Sequence, residues 1–432
     1  MGHSGTDLNQ EWFRNVPKGQ IRTVPKCPIR KGREKMKILV LNCGSSSLKY
    51  QLINMETEEV MASGKYERIG EKEAFLTHKI DSIGKKIKIE NPAYNHTEAI
   101  DFTLKQLINP EYKVIDSLDE ISAIGHRLVH GGEKIAESVK IDDNVIKVLK
   151  EYTDLAPLHN PACILGIEAC QKVMPGKPMV GVFDTAFHQT ISKEKYIYPI
   201  PYEYYKKYGI RKYGFHGTSH MYVSQRLSEI ENKDIKDMKI ITCHLGQGSS
   251  ICAIQGGKSV DTSMGLTPLG GIPMVTRSGD LDPSVITYLM KKECLTPEEM
   301  EAVLNKNSGL SAISGMAPDF REIEDASNTD NEMAKIAIDE FNYAIAGYIA
   351  KYAVALNGVD YIVFTGGIGE NQINIRKGIC QKLAFMGVDI DLEANNMRGE
   401  EKVISTPDSK VKVYVIPTNE ELMIAKETKR LI

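Results

Sequence analysis

The chain has 432 residues, which at ordinary domain sizes is enough for roughly two or three domains, each with its own core. Apolar residues make up 42% and charged residues 26%, a balance that excludes disordered and fibrous classes. Lys and Arg number 54 against 57 Asp and Glu, and the resulting net charge of -3 argues against a nucleic-acid-binding chain.

Residues 1–35 carry eight Lys or Arg against three Asp or Glu, three prolines and the only Trp, Trp12, with no apolar block of signal-peptide length. We read them as an upstream extension, disordered or belonging to a misassigned start, with folding expected from Met36. A transit peptide is the other reading of a basic leader, and Asp7, Glu11 and Glu34 weaken it. Eight cysteines at 27, 43, 163, 170, 243, 252, 294 and 380 form no C-x-x-C pair, which suggests buried thiols in a reducing cytosol. Phe341–Leu356, the best apolar helix candidate, falls short of the ~20 residues that span a bilayer, so no membrane partner is expected.

One plan occurs twice. Lys37-Ile-Leu-Val-Leu-Asn-Cys-Gly-Ser-Ser-Ser-Leu-Lys49 leads into Tyr50–Ile53, a polar turn and Glu59–Ala62; Lys239-Ile-Ile-Thr-Cys-His-Leu-Gly-Gln-Gly-Ser-Ser250 leads into Ile251–Ile254, a Gln-Gly-Gly turn and Lys258–Asp261. Each predicts strand, Gly/Ser loop, strand, tight turn, strand. Two similar α/β halves follow, with helices such as Thr97–Leu107 and Ala334–Leu356 on the sheets and a cleft between them. Glycines at 44, 246 and 248 let backbone N–H groups approach an anion, and the neighbouring hydroxyls add donors. Further on, Asp360-Tyr-Ile-Val-Phe-Thr-Gly-Gly-Ile-Gly-Glu-Asn371 reads as a buried strand ending in glycines before a helix over Ile373–Phe385, a second phosphate-facing loop. It lacks the third Gly of a dinucleotide fingerprint, and Gly257-Lys258-Ser259 lacks the leading Gly of a P-loop.

Between these loops, short motifs set cationic, carboxylate and small residues beside Gly: Gly125–Gly132, Ala156–Pro161, Val182–His188, Tyr213–His220 and Thr276–Pro283. Phosphoryl transfer needs cations over the equatorial oxygens, a bridging metal and alignment. Arg127, Arg277, His216 and Lys49 are candidates for the cations; Asp184, Glu420 and Asn42 are oxygen donors suited to Mg²⁺. A surface ion pair is the plainer reading of each Arg, with Asp280 and Asp282 near Arg277. The four-residue spacings His126/His130 and His216/His220 invite a zinc reading, but adjacent glycines argue against a regular helix and no H-E-x-x-H occurs. No G-x-S-x-G elbow supports a serine hydrolase.

Taken together, Asn-x-Gly-Ser-Ser-Ser, Gly-His-Arg, Phe-Asp-Thr-Ala-Phe-His, Gly-Phe-His-Gly-Thr-Ser-His, Thr-Arg-Ser-Gly-Asp and Gly-Gly-Ile-Gly-Glu-Asn resemble the acetate kinase family, from Met36 to the C-terminus. That family lies in the superfamily of sugar kinases, actin and the heat-shock chaperone ATPases. The resemblance implies two actin-like, ribonuclease-H-like α/β domains around a nucleotide cleft, spanning 36–185 completed by 422–432, and 186–421. It implies reversible transfer of the ATP γ-phosphoryl group to acetate, giving acetyl phosphate and ADP, with Mg²⁺ or Mn²⁺, in a cytoplasmic homodimer. By motif, Asn42 and Glu420 are then metal-associated and Arg127 meets the substrate carboxylate. Asp184, His216 and Arg277 are catalytic, and Val129, Leu158, Phe215 and Pro268 hold the acyl methyl. Nucleotide contacts fall on Lys49, His244, Leu245, Gly246, Gln247, Gly248, Asp319, Phe320, Arg321, Gly367, Ile368, Gly369, Glu370 and Asn371. Gln247, Gly270 and Val275 depart from the commoner family residues Asn, Glu and Gly.

A carboxylic acid with pKa near 4 is already ionised at neutral pH, so the acceptor needs no general base. Asp184 is therefore expected to organise Mg²⁺ or the neighbouring cations. Two alternatives remain, a propionate or butyrate kinase on the same scaffold and an ATP-gated module of the actin or chaperone type.

Overall fold

The structure, a computed structural model, describes residues 36–157 and 159–432; the leader and Leu158 lie outside them. The first doubled segment folds as β1 (Lys37–Cys43), β2 (Ser47–Asn54) and β3 (Glu59–Glu67), extended by β4 (Phe75–Ile80) and β5 (Lys85–Glu90). Then come β6 (Ile121–Leu128), β7 (Val139–Lys140) and β8 (Met179–Phe183). The second gives β9 (Lys239–His244), β10 (Ser250–Gln255) and β11 (Lys258–Thr262), followed by β12 (Tyr361–Thr365), β13 (Lys402–Val403) and β14 (Lys412–Val415).

The two sheets run β5-β4-β3-β2-β1-β6-β8-β7 and β11-β10-β9-β12-β14-β13. Within them β3-β2-β1-β6-β8 and β11-β10-β9-β12-β14 have one plan: two antiparallel pairings, then two parallel ones. Two α/β halves are the fold class expected from the duplicated segment. The central strands are apolar on both faces, as strands covered by helices must be; Ile38–Leu41 and Tyr361–Thr365 are buried throughout.

Helices His96–Leu107 and Glu332–Ala355 occupy the expected positions, and the helix predicted to reach Phe385 stops at Lys382, followed by a 3₁₀ turn over Ala384–Met386. The C-terminal helix Glu420–Leu431 returns to the first sheet, where Leu422, Ile424 and Ala425 pack with Ile38, Val40, Val180 and Val182. Gly125 makes that approach possible. A Cβ there would stand 2.6 Å from Thr428 Oγ1 and 2.7 Å from Ile424 Cγ2. Among the described cysteines, the expectation of buried thiols fails at Cys294, which is exposed at the end of a helix, Pro283–Glu293, that buries none of its side chains. Among the described residues no helix is long and apolar enough to cross a membrane.

Candidate active site

In open α/β sheets functional groups collect at the carboxyl ends of the parallel strands. Arg127 lies near the end of β6 and Asp184 follows β8. The parallel register pairs Leu128 with Phe183, and the Asp184 N–H donates to Leu128 O at 2.9 Å. This brings the side chains together in a fork, Arg127 Nε donating to Asp184 Oδ1 at 3.2 Å and Nη2 to Oδ2 at 2.7 Å. The Asp184 side chain is only 3% exposed and the Arg127 side chain 26%, so the pair opens on the guanidinium side. The Asp184 charge raises the Arg127 pKa above its ordinary range. The cation beside Asp184 is thus the Arg127 guanidinium, whose Nη1 takes no part in the fork.

The backbone of Asp184 also ties in the second half. Its carbonyl accepts from the Gly217 N–H at 2.9 Å, so close that a Cβ on Gly217 would sit 2.3 Å from that oxygen. His216, immediately before, is held at φ 57°, a left-handed backbone that non-glycine residues adopt at a cost. Its Nδ1 is 2.9 Å from Ser250 Oγ and its ring stacks on His244, centroids 4.3 Å apart. Burial is the largest cause of a depressed His216 pKa; His244, His220, Arg127 and Arg277 add to it. The cation expected at His216 is therefore a neutral imidazole, because a charged ring would be desolvated beside two guanidinium groups.

Arg277 does not pair with the acids near it in sequence. Asp280 accepts from the Gly271 N–H and Tyr348 Oη, and Asp282 caps the helix Pro283–Glu293. Arg277 Nη1 instead donates to Pro268 O at 3.4 Å and lies 3.7 Å from Met274 Sδ. Gly248 marks where the Gly loop after β9 meets this group, since a Cβ there would be 3.2 Å from Arg277 Nη1 and 3.5 Å from His216 Nε2. Beside it, Val129 and Phe215 form a buried apolar cluster with Met264 and Met274. Sequence motifs gave no sign of the two methionines. Leu158, expected in the same pocket, lies outside the described residues.

A narrow pocket near Arg127 is lined by Asn42, Lys49, Glu420 and Glu421. Burial pushes Glu420 up to about 7; Arg127 opposes that shift and Asp184 adds to it. Its Oε1 is buried with no hydrogen-bond partner, so a bound cation would satisfy an oxygen that the protein does not. Asn42 and Glu420 are hard oxygen donors that fit Mg²⁺ or Mn²⁺. Lys49 belongs to this pocket and not to the cavity where the other nucleotide residues gather.

That cavity, about 420 Å³, is lined by Gly246 and Gln247, Asp319 to Arg321, and Gly367, Ile368 and Asn371. Three segments far apart in sequence are brought to one hollow, together with Val275, which the sequence marks only as a departure from the commoner family residue, and with Gln372 and Arg398, which the motifs did not single out. Glu370 does not line it. Its Oε1 accepts from the Gly366 N–H at 2.8 Å and the Thr418 N–H at 3.0 Å, stapling the glycine turn to the segment before Glu420. The glycine turn is itself a short helix, Gly366–Asn371, in the position expected for a phosphate-facing loop. Against the expectation that the glycine beside His216 and His220 excludes a regular helix, Gly217 begins the helix Gly217–Glu231, on which His220 lies and bonds to the same Ser250 as His216.

The fold and site together are those of a two-sheet α/β protein that gathers two guanidinium groups, the carboxyl groups of Asp184 and Glu420, and a Gly-lined hollow. The family model "Acetokinase family" matches residues 37–426. Acetate kinase of Carboxydothermus hydrogenoformans is 56% identical over 92% of this chain and 99% of its own. Among solved structures, Porphyromonas gingivalis acetate kinase superposes with a TM-score of 0.89 at 48% identity, covering 92% of this chain and 99% of that one. A propionate kinase from Francisella tularensis gives 0.84 at 44% identity, over 92% and 100%. The chain belongs to the acetokinase family.

Proposed function

We propose that this protein is an acetate kinase, transferring the γ-phosphoryl group of ATP to acetate and, in reverse, from acetyl phosphate to ADP. One observation carries the reading: Arg127, His216 and Arg277, from three distant segments, converge between an apolar cluster and a nucleotide-sized cavity. Arg127, steadied by Asp184, receives the acid's carboxylate. Val129, Phe215 and Pro268 border its methyl group. The loops at 244–248, 319–321 and 367–371 hold the nucleotide, and Arg277 and the His216 N–H receive charge that develops on the phosphoryl oxygens. Asn42 and Glu420 hold Mg²⁺, which when bound neutralises phosphate charge. No side chain need take a proton from the acid, since acetate is already ionised.

We read 36–185 with 422–432 as one domain and 186–421 as the other, working in a cytoplasmic homodimer. Exposed Tyr202, Tyr204, Tyr208, Leu281, Val285 and Tyr288 supply apolar surface for a second copy. The test is to trap acyl phosphate with hydroxylamine under ATP and Mg²⁺ while varying acetate, propionate and butyrate. Acetate-dependent product with the highest kcat/KM is the expected result. A higher value for propionate or butyrate would move the acceptor, and ATP hydrolysis indifferent to every acid would defeat the kinase reading.

A further inference from the structure

His216 Nδ1 is 2.9 Å from Ser250 Oγ, Ser250 Oγ is 2.8 Å from His220 Nε2, and His220 Nδ1 is 2.7 Å from Thr242 Oγ1. Thr242, Ser250 and His220 are each 0% exposed, and burial holds both rings neutral. A neutral imidazole has one nitrogen that donates and one that accepts, and a hydroxyl has a single proton to give. The row therefore has two directions in which Ser250 spends its proton within it; were Ser250 to accept from both rings, its own buried proton would have no acceptor among the described residues. In one, Thr242 donates to His220 Nδ1, His220 Nε2–H donates to Ser250, and Ser250 donates to His216 Nδ1. That leaves the His216 proton on Nε2, the atom that approaches Gly248 and the Arg277 side of the site.

Run in reverse, the row makes Thr242 an acceptor. Its own buried proton then has no acceptor among the described residues, because its one side-chain bond is to His220. An orphaned buried donor disfavours that direction by roughly tenfold or more. The dead end at Thr242 thus decides the proton position at the far end of the row. A lone pair on His216 Nε2 would instead face the phosphoryl oxygens with like polarity and draw the Arg277 guanidinium onto the ring.

We propose that Thr242, His220 and Ser250 form a one-way hydrogen-bond relay that fixes His216 as its Nε2–H tautomer, so that the ring presents an N–H to the phosphoryl group in transfer. None of the three touches a reactant; they are positioning residues. The inference deepens the kinase reading and rests on it for its use, while the tautomer itself is measurable without turnover. Full-length protein labelled with ¹⁵N-histidine is examined by long-range ¹H–¹⁵N correlation, with the His216 signals identified by their loss in His216→Gln. Wild type is expected to show a protonated Nε2 and an accepting Nδ1 at neutral pH. In Thr242→Val the direction is no longer enforced. Mixed tautomers are expected there, with kcat falling in proportion to the lost Nε2–H fraction, about twofold for an even mixture, since a misplaced imidazole proton disables catalysis elsewhere. KM for acetate and ATP should stay within about twofold, which marks a loss confined to the transition state. Thr242→Ser should restore both tautomer and kcat. A protonated Nδ1 on His216 in wild type overturns the relay, as does Thr242→Val that keeps the pure Nε2–H form. Mixed tautomers with unaltered kcat would overturn its role in the reaction. A wild-type chain showing the Nε2–H tautomer but no acid-dependent phosphorylation would defeat the kinase reading and leave the relay standing.

Discussion

Gly248→Ala adds one methyl group at the point where His216 and Arg277 approach the Gly loop. The backbone there is not in the left-handed region, so alanine brings no conformational strain. The new Cβ would lie 3.2 Å from Arg277 Nη1, inside the 3.4–4 Å of ordinary contact, and 3.5 Å from the His216 ring. Arg277 has to retreat by about 0.4 Å, and a misplacement of about 1 Å in an active site costs about 10²-fold, so the shift corresponds to roughly a sixfold fall in kcat. Arg127 and the apolar cluster are not touched, so KM for acetate should change little. The assay is steady-state kinetics in both substrates beside a thermal melt. Wild-type kcat in the variant would refute the placement of Arg277 over the transferred group. A fall in kcat matched by a large drop in Tm would instead mean that the methyl disturbs folding.

Gly347→Ala provides a contrast, since the residue is exposed inside the helix Glu332–Ala355 and a Cβ there meets nothing within 4 Å. It should raise stability by about 0.5–1 kcal/mol in urea unfolding and leave kinetics unaltered. Acid should destabilise the protein early. Burial lowers His126, His130 and His188 to about 4, against an unfolded value of 6.5. Below pH 6.5 the unfolded chain takes protons that the folded one refuses, so stability is complete above pH 6.5 and is lost as pH falls toward 4. Each ring contributes up to about 3 kcal/mol at the full shift. A urea midpoint that stays flat from pH 6.5 to pH 5 would contradict this.

Much of the scaffold was legible because the chain repeats its own hairpin. Strand, Gly/Ser loop and strand recur at Lys37 and Lys239 with apolar runs too long for a half-exposed strand, and the structure builds the same five-strand order from each. Part of the nucleotide-sized cavity was legible too, in the glycine-rich segments that supply Gly246, Gln247, Gly367 and Ile368, although the N–H groups of Gly366, Ile368 and Gly369 are taken by Glu370 Oε1 and Leu245 O. What escaped depends on burial or on long-range approach. His216 reads as a cation until the depth of its ring is known, and Lys49 reads as a phosphate contact until β1 pairs with β2 and sets it beside Asn42. Thr242 and Ser250 are unremarkable β-strand residues in sequence, and only the packing of Gly217–Glu231 against β9 and β10 gives them histidine partners. Arg398 and Met264 reach the site from segments without any motif.

A neutral His216 changes what the two arginines must supply. Attack of one anion on another sets like charges together, and at about 4 Å a unit pair costs about 4 kcal/mol at an effective dielectric near 20. Arg127 has two of its five N–H donors committed to Asp184, whose charge offsets its own, so its part is to hold the carboxylate in place. Arg277 has no carboxylate partner among the described residues and contacts only a carbonyl and a thioether. It is the guanidinium with charge to spare for the transferred group. Arg277→Ala should therefore lower kcat by about 10²–10³ with a modest change in acetate KM, whereas Arg127→Ala should chiefly raise acetate KM. Saturation kinetics in acetate at fixed MgATP separates the two, and the same kinetic signature in both variants would mean that the arginines share one role.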